Sequence, residues 1–309
     1  MLSNSRVAWF NGKIVPEGQV MIPYRDKSWK SGDGAFDMTR TFNGAIFRLK
    51  EHVDRFYRSL RYVRIDPGIS PREMAAITED VVARNEHLRA PRGDWWVSQR
   101  ISRGVDAVGD EGWEHTGPNL VIDCTPLPLA ERAAMFRDGA EVMTTTVRRT
   151  APSMLSPRAK MNNYLNMIVA SQPIKAANSD AWALLLDENG NLAEGVGSNI
   201  FIVEDGRLRT PRERYVLPGV SRQMTMDLAA KLGIPCAESD IDLFDAANAD
   251  EMFITSTSLC ILPVRSFNGE NVGATQWVGA GPVTQRLIDA YAAEVGCDFV
   301  RQYLDRLPA

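Results

Sequence analysis

Two separated stretches carry residue types that can run amino-group chemistry. Glu194 lies in Leu192-Ala193-Glu194-Gly195-Val196-Gly197-Ser198-Asn199, a glycine-bracketed turn that suggests close backbone approach to something flat, with Asn199 placed to fasten it. Lys160 lies upstream in Arg158-Ala159-Lys160-Met161-Asn162-Asn163-Tyr164. A desolvated lysine holds its proton less tightly and becomes a nucleophile able to condense with an aldehyde. A fixed carboxylate can keep a pyridine nitrogen protonated. If both side chains face one ring, they form a cradle for pyridoxal 5'-phosphate (PLP). Each also has an ordinary reading, as a solvated surface lysine and as a loop carboxylate.

Three further segments could hold a phosphate. Leu217-Pro218-Gly219-Val220-Ser221 precedes a helical pattern, with Ser221 at the N-cap position. Serine caps helices routinely, and free N–H groups with the helix dipole also favour an anion there. Thr255-Ser256-Thr257-Ser258 follows a strand, as a hydroxyl cluster or a polar turn. Arg55 flanks the buried face of a helix beside Phe56, either as a surface charge or as an inward-reaching phosphate ligand.

The elements that must position these residues belong to an α/β (α+β) chain. Residues 7–10 and 13–15 flank Asn11-Gly12, and residues 39–42 and 45–49 flank Asn43-Gly44, which gives two hairpins. Leu49, Val53, Phe56, Leu60 and Val63 recur at spacings of four and three, one buried helix face. Residues 71–87 read as a second helix, and 95–102 and 119–124 as strands. The segment 103–118 between those strands reads as a long exposed loop of the kind that often serves function. Beyond the prolines of residues 125–129, strands fall at 140–148, 182–187, 200–204 and 251–255. Helices fall at 160–177, 221–232 and 282–294. The first starts at Lys160, with Met161, Leu165, Ile168 and Val169 continuing it on the core side. This organisation gives an N-terminal α/β domain at 1–124, a linker at 125–136 and a C-terminal domain at 137–309.

Size and composition narrow the function classes. A chain of 309 residues can bury two cores. Its net charge of −4, without a basic block, argues against nucleic acid as a partner. Cys124, Cys236, Cys260 and Cys297 form no CxxC pair and read as the reduced thiols of a cytoplasmic protein. His52, His87 and His115 have no metal-ligand spacing, so no metal site is expected. No signal peptide and no membrane span are expected either.

Taken together, the motifs resemble the fold-type IV (class IV) PLP-dependent aminotransferases, from about residue 9 to 281 and in the family's order. That family holds branched-chain, D-amino acid and (R)-amine transaminases and aminodeoxychorismate lyases. His52-Val53-Asp54-Arg55-Phe56-Tyr57-Arg58-Ser59 resembles the helix whose arginine grips the phosphate. Lys160 matches the cofactor-bearing lysine, Tyr164 the partner of the phenolic oxygen, and Glu194 the partner of the pyridine nitrogen. Val220, Ser221 and Thr257 match the phosphate contacts, with Thr257 and Ser258 also beside the substrate. The resemblance implies a small N-terminal α/β domain, a larger C-terminal domain with a barrel-like sheet, a cofactor between them and a homodimer. It further implies transfer of an amino group from a small-molecule amino donor to a keto acid, with Lys160 moving the proton.

The substrate segments depart from the relatives. Gly34-Ala35-Phe36-Asp37-Met38-Thr39-Arg40 stands where branched-chain enzymes keep a substrate segment; Phe36 and Arg40 match, while Met38 replaces a glycine and narrows the pocket. Trp96 and Ser98 replace a tyrosine and an arginine, so the arginine for an acidic side chain is missing from its position. Val147-Arg148-Arg149-Thr150 resembles the (R)-amine enzymes, yet their carboxylate-binding loop arginine has no counterpart after Ser102-Arg103-Gly104. Arg40 is then the candidate for a substrate carboxylate, with a structural ion pair as the equal alternative. The expectation is a transaminase for a hydrophobic or aromatic amino acid or an (R)-amine. A branched-chain L-amino acid aminotransferase and a PLP lyase of the aminodeoxychorismate type are the alternatives on the same residues.

Overall fold

The computed structural model describes residues 5–108, 116–273 and 279–308. The chain divides into two compact units, Met1–Leu127 with Ala159–Asn163, and Pro128–Arg158 with Tyr164–Ala309.

Asn-Gly turns shape the first unit. Asn11 and Gly12 both take positive φ, 45° and 92°, the geometry that matches strand twist in a two-residue hairpin. They join β1 (Val7–Phe10) to β2 (Lys13–Pro16). After α1 (Lys27–Ser31) comes β3 (Gly34–Phe42), which turns at Asn43-Gly44 into the short β4 (Ala45–Ile46). Then follow α2 (Leu49–Val63), α3 (Pro71–Asn85, opened by a Ser70/Glu73 capping box), β5 (Trp95–Ser102) and β6 (Leu120–Pro126). The sheet is antiparallel in the order β2-β1-β6-β5-β3-β4.

Strand alternation gives this sheet two unlike faces. Ala35, Val97, Ile101, Ile122 and Cys124 pack against Val53, Phe56 and Leu60 of α2 and Met74, Val81 and Val82 of α3. In the registers Phe36↔Arg100, Met38↔Ser98 and Arg40↔Trp96, the opposite set of side chains lies on the other face. Asp37 and Thr39, fully buried, belong to the helix side.

The second unit contains α4 (Leu129–Asp138), β7 (Ala140–Thr144), α5 (Leu165–Ala177), β8 (Trp182–Leu186), β9 (Leu192–Gly195), β10 (Ser198–Glu204), β11 (Arg207–Pro211), α6 (Val220–Lys231), β12 (Cys236–Ser239), α7 (Leu243–Ala247), β13 (Glu251–Ser256), β14 (Cys260–Phe267), β15 (Glu270–Asn271), α8 (Pro282–Val295) and α9 (Phe299–Leu304). Six strands close a ring, β7-β8-β9-β10-β13-β14 and back to β7. The barrel-like sheet implied by the resemblance is present. Val142, Leu184, Leu186, Ile200, Ile202, Ile254 and Leu262 belong to its buried apolar cluster, as a ring this small is filled by side chains.

Two expectations need correction. Lys160 does not begin a helix: α5 starts at Leu165, and residues 160–162 are extended. Leu165, Ile168 and Val169 are 70%, 46% and 42% exposed, and α5 buries Met167, Ala170 and Ile174 instead. Residues 125–136, expected as a linker, hold the end of β6 at Pro126, the boundary of the two units at Leu127/Pro128 and the start of α4 at Leu129. Of the loop at 103–118, Val105 and Gly117 pair across its base, while 109–115 lie outside the described residues.

Candidate active site

Lys160 is held at the edge of the first unit's sheet. The amide of Phe36 donates to the Lys160 carbonyl at 3.0 Å and the amide of Asn162 to the Gly34 carbonyl at 2.9 Å, so this segment continues the sheet beside β3. The Lys160 amide donates to Ser59 Oγ at 2.9 Å, and that hydroxyl donates to the Arg55 carbonyl at 3.1 Å. The serine of the His52–Ser59 motif thus ties the lysine backbone to α2. The Lys160 side chain places Nζ 4.6 Å from the centroid of the Phe36 ring, a cation–π distance.

On the helix side, Arg55 and His52 converge on Asp37. Arg55 Nε and Nη2 each donate to the carboxylate at 2.8 Å, and His52 Nδ1 lies 2.7 Å from Oδ1. Arg55, expected on a phosphate, therefore stands in a bidentate pair. Burial works against charge on Asp37, but Arg55 and the His52 hydrogen bond outweigh it and hold the carboxyl far below the usual range. Burial, with the nearby charges of Arg55 and Lys160, lowers His52 in spite of Asp37. A neutral His52 donates Nδ1–H to Asp37, which leaves Nε2 as a buried acceptor with no partner among the described residues.

The opposite face carries the substrate candidates Phe36, Met38, Arg40, Trp96 and Ser98. Met38 is half-buried, and Ser98 Oγ donates to Asp123 at 2.9 Å. Arg40 is 0% exposed, lies 3.4 Å from Asp94, donates Nε–H to the Thr41 carbonyl and covers the Phe42 ring at 4.0 Å. Of its two readings, the structure supports the ion pair, so it is no carboxylate ligand. Arg100 was not singled out from the sequence. It is exposed, and its guanidinium carbon lies 4.5 Å from the centroid of the same Phe36 ring that Lys160 contacts.

Glu194 occupies the second unit's barrel hairpin, on β9, and is 2% exposed. Its Oε1 accepts from Arg149 Nε at 2.8 Å and its Oε2 from the Leu217 amide at 2.9 Å. Asn199 Nδ2 donates to the Leu217 carbonyl at 3.0 Å, so both backbone polar groups of Leu217 are fastened to β9 and β10. Asn199, expected to fasten the glycine turn, places its side chain on Leu217 instead. The glycines have another cause than a flat ligand. A Cβ at Gly195 would press on Ser198 Oγ and the Ala183 carbonyl, and Gly197 takes the φ of 85° that the hairpin needs.

Leu217 leads into α6, whose N-cap is Gly219, not Ser221, and no side chain caps it. Ser221 lies inside the first turn, 3% exposed, with Oγ 3.3 Å from the Tyr291 hydroxyl. Thr257 and Ser258 sit in the loop between β13 and β14. Ser258 is tied by the Tyr303 hydroxyl to its carbonyl at 2.6 Å and by Arg132 to its Oγ. On β13, Thr255 Oγ1 is fully buried and has no hydrogen-bond partner among the described residues. Tyr164 falls in the second unit as the N-cap of α5.

The donor set fits PLP: an amine for its aldehyde, a fixed carboxylate for its ring nitrogen, and an uncapped helix start beside buried hydroxyls for its phosphate. Asp37, Arg149 and Leu217 complete these groupings and had no role in the sequence reading. Period-two alternation through residues 35–39 would have put Asp37 on the helix side of β3. Cys124, whose thiol burial pushes up to about 12, is no nucleophile.

The profile of the family described as Amino-transferase class IV matches residues 34–267. A putative branched-chain-amino-acid aminotransferase of Methanocaldococcus jannaschii is 33% identical over 284 residues, 92% of this chain and 94% of that one. A D-alanine aminotransferase of Bacillus licheniformis is 26% identical over 90% of this chain and 93% of its own. A crystal structure of the T.th. branched-chain amino acid aminotransferase with pyridoxamine 5'-phosphate superposes with a TM-score of 0.83 at 28% identity, covering 94% of each chain.

Proposed function

This chain belongs to the class IV aminotransferases and is a PLP-dependent transaminase, and from that premise we propose that it takes its amino group from an amino acid with an apolar side chain. The observation that carries the reading is the Phe36 ring beside Lys160 Nζ, on a sheet face shared with Met38 and Trp96. Such a wall favours an apolar side chain next to the reacting amine. The branched-chain and D-alanine names of the relatives support donors of that kind.

When bound, PLP supplies an aldehyde for the substrate amine and a ring that accepts the electron pair released at the α carbon. Lys160 Nζ is the catalytic group that would hold the aldehyde and would carry the α proton. The backbone pairing to β3 fixes the lysine's main chain and leaves its long stem to make that move. Glu194 would hold a proton at the ring nitrogen, and Arg149 with the Leu217 amide keeps its carboxylate in place. The first amides of α6, Ser221 and Thr257 would bind the phosphate. Tyr164 serves the phenolic oxygen, and Thr257 and Ser258 border the substrate.

The enzyme works as a cytoplasmic homodimer in this reading. Met21, Tyr24 and Trp29 of the first unit are 74%, 69% and 78% exposed, large apolar side chains of the kind a subunit interface covers. No helix among the described residues is long and apolar enough to cross a membrane.

The test is the amino-donor half-reaction of the PLP-loaded protein with L-leucine, L-isoleucine and L-valine, aromatic L-amino acids, D-alanine and both enantiomers of 1-phenylethylamine. Apolar amino acids should convert fastest. A clear lead for the branched-chain L-amino acids narrows the donor to them. Preference for aspartate or serine overturns the reading, and pyruvate release from aminodeoxychorismate without an acceptor assigns a lyase.

A further inference from the structure

We propose that Arg132 and Tyr303 are positioning residues for the transamination: from two helices they fix the turn at Thr257-Ser258, and so set how tightly the enzyme holds its amino donor and its cofactor. The inference rests on the reading above, which puts this turn at the phosphate and the substrate.

The turn is strained and needs support. β13 and β14 pair as far as Ser256↔Cys260, and residues 257–259 join them. Cys260 takes a φ of 59°, the left-handed conformation that closes a three-residue hairpin loop and that glycine adopts most readily. Here the residue carries a Cβ and is fully buried. Backbone of this kind persists only where its surroundings over-determine it, and it clusters at functional sites.

Ser258 is where the support arrives. The residue is 4% exposed. Arg132 of α4 donates Nη1–H to its Oγ, and the Tyr303 hydroxyl of α9 donates to its carbonyl at 2.6 Å. A guanidinium has no acceptor, so the Ser258 oxygen accepts there and keeps its own proton to give. Ser256 Oγ stands 3.4 Å away and accepts from the Leu259 amide at 3.1 Å. The hydroxyls of Ser256 and Ser258 thus serve the hairpin itself.

The two helices act as one clamp. Arg132 and Phe136 are four residues apart on α4 and share a face. The Phe136 ring stacks on Tyr303 at 4.1 Å and 12°, and Phe299 meets Phe136 edge-on at 6.3 Å. Side chain and main chain of Ser258 are therefore held by groups that are themselves packed together, and what fixes Ser258 also fixes Thr257, one peptide away. Neither Arg132 nor Tyr303 belongs to the motifs of the sequence, because only the packing of α4 on α9 brings them to the turn.

The experiment uses the PLP-loaded enzyme with its fastest amino donor, as Arg132→Met, Arg132→Lys, Tyr303→Phe, Ser258→Ala and the double variant Arg132→Met with Ser258→Ala. In Arg132→Met the donor KM should rise about tenfold, the scale of one charge-assisted hydrogen bond, with kcat within about twofold of wild type because Lys160 and Glu194 are untouched. Tyr303→Phe, which keeps the stack on Phe136, should raise KM about threefold. Arg132→Lys should recover part of the loss. The double variant should be no worse than Arg132→Met, since both changes break one contact. PLP affinity, read by absorbance titration of the apo protein, should fall in the same order of variants. Additive losses in the double variant, a fall in kcat alone, or a donor KM unchanged in both Arg132→Met and Tyr303→Phe each overturn the proposal. If Arg132→Met does not fold, Tyr303→Phe and Ser258→Ala carry the same test. Failure of the transaminase reading would look different, as a wild-type protein that neither loads PLP nor converts any donor.

Discussion

Lys160 and Glu194 are the two residues on which the chemistry turns, and the chain anchors them in opposite ways. Glu194 sits inside a closed ring of strands, and each of its carboxylate oxygens accepts a hydrogen bond from its own unit. Lys160 is tied through its main chain, by pairing with β3 and by Ser59, and its stem lies over an aromatic ring. A group that must hold a proton at one ring atom gains from a fixed side chain. A group that must bond, leave and carry a proton needs a fixed root and a movable end. The chain thus separates rigidity from reach.

Substituting the two residues tests this contrast most directly. Lys160→Ala should lower turnover by roughly 10³-fold or more, since nucleophile and proton carrier vanish together. Glu194→Gln, which leaves a neutral partner at the ring nitrogen, should cost about 10²-fold in kcat, the scale of one preorganised electrostatic contact. Single-turnover kinetics with the best donor compares them, and equal losses would break the distinction.

Asp37 tests the lysine's support rather than its chemistry. Asp37→Asn leaves Arg55 buried without its counter-ion, and breaking such a pair costs about 3 kcal/mol. The urea midpoint of the apo protein should fall accordingly, and PLP affinity should weaken as Arg55 and α2 shift. An unchanged midpoint would mean that the first unit does not depend on this cluster.

The smallest expected effect is on pH dependence. His52 is lowered in the folded protein, so the unfolded chain takes up its proton first and stability declines as pH falls through the ordinary histidine range near 6.5. Asp37 is also lowered, so its contribution persists above about 3.8 and is lost below it. Thermal melts from pH 8 to 5 should show the first decline, and His52→Gln should flatten it. A steeper decline in that variant would reverse the assignment.

What could be read from the sequence follows the same division. The Glu194 turn, the start of α6, the Asn-Gly hairpins and helices α2 and α3 are local, set by periodicity, turn chemistry and caps within a few residues. The Lys160 segment is not. Its neighbours Leu165, Ile168 and Val169 imitate a buried helix face, and the pairing that makes it extended comes from Gly34–Phe36, far upstream. The place of Arg40 is hidden for a related reason. Only the β3–β5 register shows that it is sealed by Asp94.

The pairing of residues 160–162 with β3 also bears on how the protein is made. A bare strand edge is a template for foreign strands, and here the segment that covers it is translated more than a hundred residues after the strand. Until residues 160–162 are made, the edge of β3 at residues 34–36 lacks the backbone partner that this segment gives it. The same few residues thus cover a strand edge and carry the reactive amine.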